Sequence, residues 1–308
     1  MARRWDLLTY LRTFEPDELV RRGPGEYCTR THDSLKISHG KWIWYSRGIG
    51  GRSALDYLVE VRGADFVKSV ELLCGCPAPL SVRHTPPPAR KKPFQLPQAS
   101  VCPSAVIPYL QRRGIDTEIL SECLNAGTLY ESRRFQNCVF IGKDTAGHPR
   151  FACLRGTREN FKRDAPGSDK RFGFCLPASD SGCPRLAVAE SPIDALSLAT
   201  LVKRCGGNWR DSNYLSLGGT APHAMLQFLR DHTQISQVSL CLDNDKAGLE
   251  GMERLEQAVR KDPDLSKQIR LIYHNPPPIE FGKDYNEFLV RHTRRENPGK
   301  SVPEKMTR

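Results

Sequence analysis

The sequence contains no Cys-x-x-Cys pair, although 11 cysteines are present among its 308 residues. The nearest two, Cys74 and Cys76, are separated by one residue, an unusual spacing for the paired ligands of a zinc knuckle. An odd number of thiols without a secretion signal favours reduced structural cysteines over a disulfide framework. No zinc site is therefore expected from cysteine spacing.

Long apolar runs and a phosphate-binding loop are also missing. No segment approaches membrane-spanning length, which argues against an integral membrane protein and against a membrane partner. Asp6 interrupts the first residues before a signal-peptide apolar region can form, so a cytoplasmic location is expected. No G-x-x-x-x-G-K-[S/T] motif occurs, which excludes an ATPase-linked nuclease and a fused helicase.

Acidic residues are fewer than basic ones, with 35 Asp and Glu against 46 Lys and Arg and a formal net charge of +11. Lys and Arg gain affinity for nucleic acids by releasing phosphate counterions. The charge alone fits either a nucleic-acid partner or simple solubility.

Proline and charge divide the chain. Residues 77–103 contain Pro86-Pro87-Pro88 and Arg90-Lys91-Lys92-Pro93 with few apolar side chains, which predicts an extended linker after a module at residues 1–76. Residues 104–126 have helical spacing with a break at Gly114, and residues 135–176 have the pattern of strands and turns. Residues 291–308 form a basic tail.

From Leu186 onward, short apolar strands alternate with amphipathic helices. Strands are predicted at 186–189, 214–217, 238–242 and 269–273, and helices at 192–204, 222–231 and 246–260. Ser191 and Asp194 have the spacing of a capping box, with Pro192 in the first turn. This alternation predicts an α/β fold in which helices cover a parallel sheet, and ligands of such sheets gather at the carboxyl ends of the strands.

Two of these strands end directly in acid, at Glu190 and at Asp243-Asn244-Asp245. Carboxyl ends of parallel strands lie on one sheet edge, so these carboxylates are expected to converge and to repel one another. A hard divalent cation such as Mg²⁺ relieves that repulsion. The alternative is helix capping, which also accounts for Asp284 and Glu287 before Phe288.

Four segments of this region resemble the motifs of Toprim domains. They are LAVAESPIDALSL at 186–198, LSLGGTA at 215–221, LCLDNDKAG at 240–248 and GKDYNEFL at 282–289. The resemblance implies a Toprim domain over 183–290, in which Glu190, Asp243 and Asp245 are both the catalytic residues and the ligands of Mg²⁺, with Mn²⁺ as a substitute.

Residues 104–182 resemble the α+β basic subdomain that precedes Toprim in DnaG-type primases. The likeness lies in Asn137-Cys-Val-Phe-Ile, Gly147, Phe151, Arg155 and Gly167-Ser-Asp-Lys-Arg-Phe-Gly173. It implies contacts with template or nucleotide phosphates, although plain surface charge is the alternative. The candidates there are Arg155, Lys162, Arg163 and Lys170, and Lys246 and Lys283 flank the acidic motifs.

Residues 1–76 resemble the zinc ribbon of primases, a small β-rich module, through His32-Asp-Ser-Leu-Lys-Ile, Lys41-Trp-Ile-Trp-Tyr and Gly50-Gly51. Two ligand positions of that family fall on Trp44 and Arg47, which leaves only Cys28 and His32, too few to close a tetrahedral zinc site. A metal-free ribbon is therefore expected, and the prediction includes no zinc. Its sheet is predicted to be held by the following residues: Ile37, Trp42, Ile43 and Trp44. Trp42, Trp44 and Tyr45, beside Arg47 and Arg52, are candidates for stacking on unpaired bases, while a core role is the alternative for the tryptophans.

Taken together, these resemblances imply a primase-like nucleotidyltransferase that makes short primers on single-stranded DNA from nucleoside triphosphates. Primase-like proteins with a metal-free ribbon and a Toprim domain occur in plasmids and conjugative elements, so replication or transfer of a mobile element is the expected setting. A separate helicase or mobilisation proteins are the expected partners. A Toprim metal-dependent nuclease and a non-catalytic DNA-binding mobilisation partner are the alternatives.

Overall fold

The computed structural model describes residues 2–75 and 93–296, and the chain divides into two compact units, 1–90 and 91–308. The division falls inside the predicted linker. Residues 76–92 and 297–308 lie outside the described residues, so most of the linker and most of the predicted tail do too. None of the helices in the described ranges combines the length and the apolar character needed to cross a bilayer.

The described residues of the first unit, 2–75, form a five-stranded antiparallel sheet with three α-helices, and the strands pair in chain order. Side chains on β-strands alternate between faces, so one residue in two turns inward. In the fourth strand Trp42 and Trp44 are buried, whereas Ile43 is 45% exposed. The prediction that Ile43 helps to hold the sheet is therefore wrong. The elements are α1 (Leu7–Phe14), β1 (Leu19–Gly23), β2 (Glu26–Thr29), β3 (Leu35–Ser38), β4 (Lys41–Trp44), β5 (Ile49–Gly51), α2 (Ala54–Glu60) and α3 (Phe66–Gly75).

The second unit begins with two helices and a four-stranded antiparallel sheet. Gly114 has φ +83°, a left-handed value that glycine adopts readily, and it separates the two helices as predicted. The described end of the predicted linker lies along this sheet, where the Tyr130 hydroxyl donates to the Pro97 carbonyl and Ser100 N–H to the Glu131 carbonyl. The elements are α4 (Val106–Arg112), α5 (Thr117–Asn125), β6 (Leu129–Glu131), β7 (Cys138–Lys143), β8 (Pro149–Arg155) and β9 (Lys162–Asp164).

The rest of the second unit is a five-stranded sheet with helices on both faces. Four strands are parallel and one short edge strand is antiparallel, which confirms the α/β fold class. The elements are β10 (Cys175–Leu176), β11 (Arg185–Ala189), α6 (Pro192–Arg204), β12 (Asn213–Ser216), α7 (His223–Asp231), β13 (Gln237–Cys241), α8 (Lys246–Lys261), α9 (Leu265–Gln268), β14 (Leu271–His274) and α10 (Tyr285–Glu296).

The order of this sheet is β10-β12-β11-β13-β14, which puts β11 at its centre. Helices α6 and α10 pack on one face together with α4 and α5, and α7, α8 and α9 cover the other. Because both faces are covered, most residues of the central strands are buried or half-buried, among them the apolar Leu186, Val188 and Leu240. Helix α10 runs past residue 290, so the predicted tail boundary at 291 falls within a helix.

Candidate metal centre

Strands β11 and β13 are parallel neighbours, and their pairing brings Glu190 and Asp243 to one edge of the sheet. Ala189 pairs with Cys241, so the chain leaves both strands at the same level. The Asp243 N–H donates to Glu190 Oε1 at 3.4 Å. Both side chains are half-buried, and the convergence of these two acids follows from the parallel pairing.

Burial and mutual repulsion disfavour the charged forms of these acids. Burial raises the pKa of Asp243 to about 8, and the charge of Glu190 adds to the effect. Burial also raises the pKa of Glu190, and the charges of Asp245 and Asp194 raise it further. A bound cation would relieve this repulsion, since it favours the ionised carboxylates.

Asp245 is engaged at the start of helix α8. Its carboxylate accepts the Gly248 N–H at 3.0 Å and so caps the helix. A side chain at Gly248 would overlap the backbone carbonyl of Asp243, so glycine is required for the helix to begin this close to the acid. Asp245 therefore performs the capping role that the sequence left as its alternative, while its charge still acts on Glu190.

Asp194 and Asp284 are two further acids of the site that were interpreted from sequence only as helix caps. The predicted capping box is partly confirmed, because Asp194 N–H donates to the Ser191 hydroxyl at 3.3 Å. The Asp194 carboxylate is 7% exposed and accepts from the Ser191 hydroxyl at 2.6 Å and from the Asn286 N–H at 3.2 Å. Burial, followed by the charge of Asp284, raises its pKa to about 6. Asp284 lies within GKDYNEFL, one of the segments that resemble Toprim motifs, and this was the available signal that it belongs to the site.

These acids open into a cavity of about 240 Å³ between the parallel sheet and the upstream antiparallel sheet. Its four carboxylates come from four points of the parallel-sheet domain. Four cations line it too, three from the upstream subdomain and one, Lys283, from beside Asp284. The charged lining residues are Glu190, Asp194, Asp243, Asp284, Arg113, Arg155, Lys162 and Lys283. Asp245 does not line this cavity.

The predicted basic residues separate into two groups. Arg155 and Lys162 are paired across β8 and β9 and line the cavity with Lys283. Arg163 lies between Lys162 and Asp164, so strand alternation directs it to the other face.

Two further predicted cations lie outside the cavity. Lys170 forms an ion pair with Asp164, and Lys246 is exposed with Glu250 at 3.9 Å. Their predicted phosphate contacts would therefore lie outside the cavity.

The aromatic candidates of the first unit also separate. Trp42 is 1% exposed and Trp44 is buried, with the His32 ring 4.2 Å and the Arg47 guanidinium 4.4 Å from the Trp44 ring. Neither indole can accept a base in this state, so the stacking prediction does not hold for them. Tyr45 is 67% exposed and remains the candidate.

Carboxylate oxygens are the ligands that Mg²⁺ and Mn²⁺ prefer, so the donor chemistry of the cavity fits a hard divalent ion. Among the side chains described in residues 2–75 and 93–293, no three His, Cys, Asp or Glu side chains are close enough together to hold a metal as they stand. Glu190 and Asp243 would therefore supply two carboxylate contacts, and water or phosphate oxygens would fill the other positions of the ion.

Adding Mn²⁺ to the metal-free chain is expected to raise the Tm of the second unit by roughly 5–10 °C at about 100 times the Kd. The reason is that the ion neutralises the converging carboxylates. Differential scanning calorimetry measures the shift, and Glu190→Gln should remove most of it. Asp264→Asn, an exposed acid whose side chain caps no helix, is the matched control and should keep the full shift. If Mn²⁺ raised the Tm of Glu190→Gln and of Asp264→Asn equally, the metal site proposed at Glu190 would be wrong.

Comparison with known proteins gives two family matches. Residues 187–289 match a family described as Toprim-like, which confirms the resemblance to Toprim domains. Residues 108–181 match a family of proteins of unknown function, DUF3991. The uncharacterized protein pXO2-78 of Bacillus anthracis is 29% identical over 252 residues, which cover 74% of this chain and 70% of that protein.

Two solved structures align with most of the chain at low identity. The zinc-binding and RNA polymerase domains of the Aquifex aeolicus primase are 15% identical, with 96% of this chain and 83% of theirs covered and a TM-score of 0.40. The primase fragment of the bacteriophage T7 primase-helicase protein is 16% identical, with 90% and 97% covered and a TM-score of 0.44.

Proposed function

We propose that this chain, whose residues 187–289 form a Toprim-like domain, is a primase-like nucleotidyltransferase that joins nucleotides on single-stranded DNA. The observation that carries the proposal is the cavity in which half-buried acids of one sheet face Arg155 and Lys162 of another. An acidic cluster with cations at its edge suits a metal–triphosphate complex, which carries both a cation and excess negative charge.

The reaction would be the attack of a 3′-hydroxyl on the α-phosphorus of a nucleoside triphosphate, which forms a phosphodiester and releases pyrophosphate. A divalent cation bound at Glu190 and Asp243 would neutralise charge on the phosphates. Arg155, Lys162 and Lys283 would hold phosphate oxygens and orient the two reactants. Positioning and charge neutralisation would supply most of the acceleration. The proton of the attacking 3′-hydroxyl would pass to water.

The template strand would be bound by residues outside the cavity. Tyr45 offers an exposed ring on the first unit, with Arg47 and Arg52 nearby in sequence. Aromatic rings stack on unpaired bases of any sequence, and arginines add phosphate contacts. Arg163 and Lys170 would contribute phosphate contacts on the second unit. A separate helicase or mobilisation proteins would be partners in the replication or transfer of a mobile element.

The test incubates the full chain with single-stranded DNA, labelled ribonucleotides or deoxyribonucleotides, and Mg²⁺ or Mn²⁺. The expected result is template-dependent oligonucleotides that disappear when the metal is chelated. Asp264→Asn is the matched control for a substitution of Asp243, because the exposed Asp264 carboxylate lies in the same domain but outside the cavity.

The competing functions give different products in the same tubes. Metal-dependent shortening of the DNA without new oligonucleotides would identify a nuclease. DNA binding without either product, unchanged by metal, would identify a non-catalytic binding protein. Either result would overturn the primase-like proposal.

A further inference from the structure

Arg113 is a cation of the acidic cavity that forms no ion pair with any side chain the structure describes. It follows helix α4 and lines the cavity together with Glu190 and Asp194. No carboxylate among the described side chains of residues 2–75 and 93–293 forms an ion pair with it, although four acids line the same space. Lys203 and Arg210, which lie elsewhere in the same unit, are by contrast each bound to two carboxylates.

Two neutral groups fix the guanidinium in place. Its Nε donates to the Tyr109 hydroxyl at 2.9 Å, and one terminal nitrogen donates to Asn286 Oδ1 at 2.7 Å. The guanidinium carbon lies 5.2 Å from the centre of the Tyr109 ring. The second terminal nitrogen has no hydrogen-bond partner in the described part of the chain. Arg113 thus keeps a full positive charge and unused donors in a fixed orientation.

Asn286 connects this arginine to the acids. It is 6% exposed, and its side-chain nitrogen donates to the Arg113 carbonyl at 2.9 Å and to the Ser197 hydroxyl at 3.0 Å. Its backbone N–H donates to the Asp194 carboxylate. Every polar atom of the Asn286 side chain is therefore used in holding Arg113 and helix α6, which makes it a positioning residue rather than a ligand contact.

We infer that Arg113 binds a phosphate group in the acidic cavity and that Asn286 positions its guanidinium for this contact. A planar fork with free donors suits a phosphate, and neutral partners leave its charge available to an anion. The inference rests on the proposed function, because that function brings phosphate to the cavity. The phosphate belongs either to the nucleotide or to the DNA strand, and separate binding measurements distinguish the two.

The experiment compares the full chain with Arg113→Gln, Arg113→Lys and the control Arg112→Ala, an exposed neighbour at the end of the same helix. A fluorescent ATP analogue with Mg²⁺ and a labelled single-stranded oligodeoxynucleotide are titrated separately. Arg113→Gln should weaken one of them by roughly ten- to a hundred-fold, as expected for a charged hydrogen bond. Arg113→Lys should recover part of the loss, and Arg112→Ala should stay within about two-fold.

Binding of Mn²⁺ in the absence of nucleotide and DNA separates phosphate contact from structural damage. Removal of a nearby positive charge should leave Mn²⁺ affinity unchanged or higher in Arg113→Gln, whereas a collapsed cavity would lower it. Loss of Mn²⁺ affinity together with ligand affinity would therefore overturn the inference. So would equal binding of both phosphate ligands by Arg113→Gln and Arg112→Ala.

The proposed function and this inference fail separately. If the wild-type chain binds a phosphate ligand through Arg113 but makes no template-dependent product, the inference stands and the primase-like function does not. If product forms and Arg113→Gln has wild-type affinities and a wild-type KM for nucleotide, the function stands and the inference does not.

Discussion

Replacing Asp243 by asparagine should reduce template-dependent product formation by about a hundred-fold or more, the scale of a lost metal contact. The same change should raise the free energy of unfolding of the metal-free chain by about 0.5–2 kcal/mol. Asparagine has nearly the same shape as aspartate but carries no charge. The Asp243 carboxylate accepts no hydrogen bond from the described residues, so the substitution removes repulsion without leaving a donor unsatisfied.

The stability gain follows from the electrostatics of the site. Burial and the charge of Glu190 raise the pKa of Asp243 to about 8, which means that its ionised form is disfavoured in the folded chain. Opposite changes in activity and stability are expected where a charge is kept for function at a cost in stability. Chemical denaturation in the presence of a chelator measures the stability, and the oligonucleotide assay measures the activity.

Two comparison variants make this result specific. Asp264→Asn should leave both activity and stability unchanged, because that side chain is exposed and outside the cavity. Asparagine is as good an N-cap residue as aspartate, so Asp245→Asn keeps the cap of helix α8. The variant removes only the negative charge beside Glu190 and so tests that charge by itself. A loss of stability in Asp243→Asn comparable to that of a core substitution would contradict the repulsion argument.

Much of the second unit could be predicted from the sequence because its signals are local. The apolar strand and the Ser191-Pro192 start of helix α6 lie next to each other in the chain, and the structure places them within one residue of the prediction. The convergence of Glu190 and Asp243 was predictable as well, since parallel neighbouring strands end on one edge.

The missed parts of the site depend on contacts between distant segments. Nothing near Arg113 in the sequence shows that its guanidinium meets Asn286, which lies 173 residues away. Asp194 fits a local pattern, the capping box. That pattern gives no indication that its carboxylate also accepts a hydrogen bond from the distant Asn286 N–H. A residue can perform a local and a tertiary role together, and spacing identifies only the local one.

The first unit is expected to depend on Trp42 for its stability, so Trp42→Ala should cost about 3–5 kcal/mol there. Trp42 is 1% exposed, its indole N–H donates to the Ser53 carbonyl at 3.2 Å, and its ring meets Tyr57 edge to face at 6.2 Å. Ile43→Ala is the matched control, because its side chain lies one residue away on the exposed face and should cost less than about 0.5 kcal/mol. Amide hydrogen exchange of residues 2–75 in the full chain measures both.

A chelator provides the complementary measurement in the same unit. The resemblance to the zinc ribbon of primases puts two ligand positions on Trp44 and Arg47, which contact each other. The Cys28 thiol accepts a hydrogen bond from Arg22 Nε at 3.1 Å. If aromatic packing replaces a metal here, EDTA should leave the exchange protection of residues 2–75 unchanged while Trp42→Ala lowers it. Zinc-binding domains behave in the opposite way, because the metal supplies their folding free energy and a chelator unfolds them. Loss of protection with EDTA in the wild-type chain would therefore show that a metal contributes to the unit.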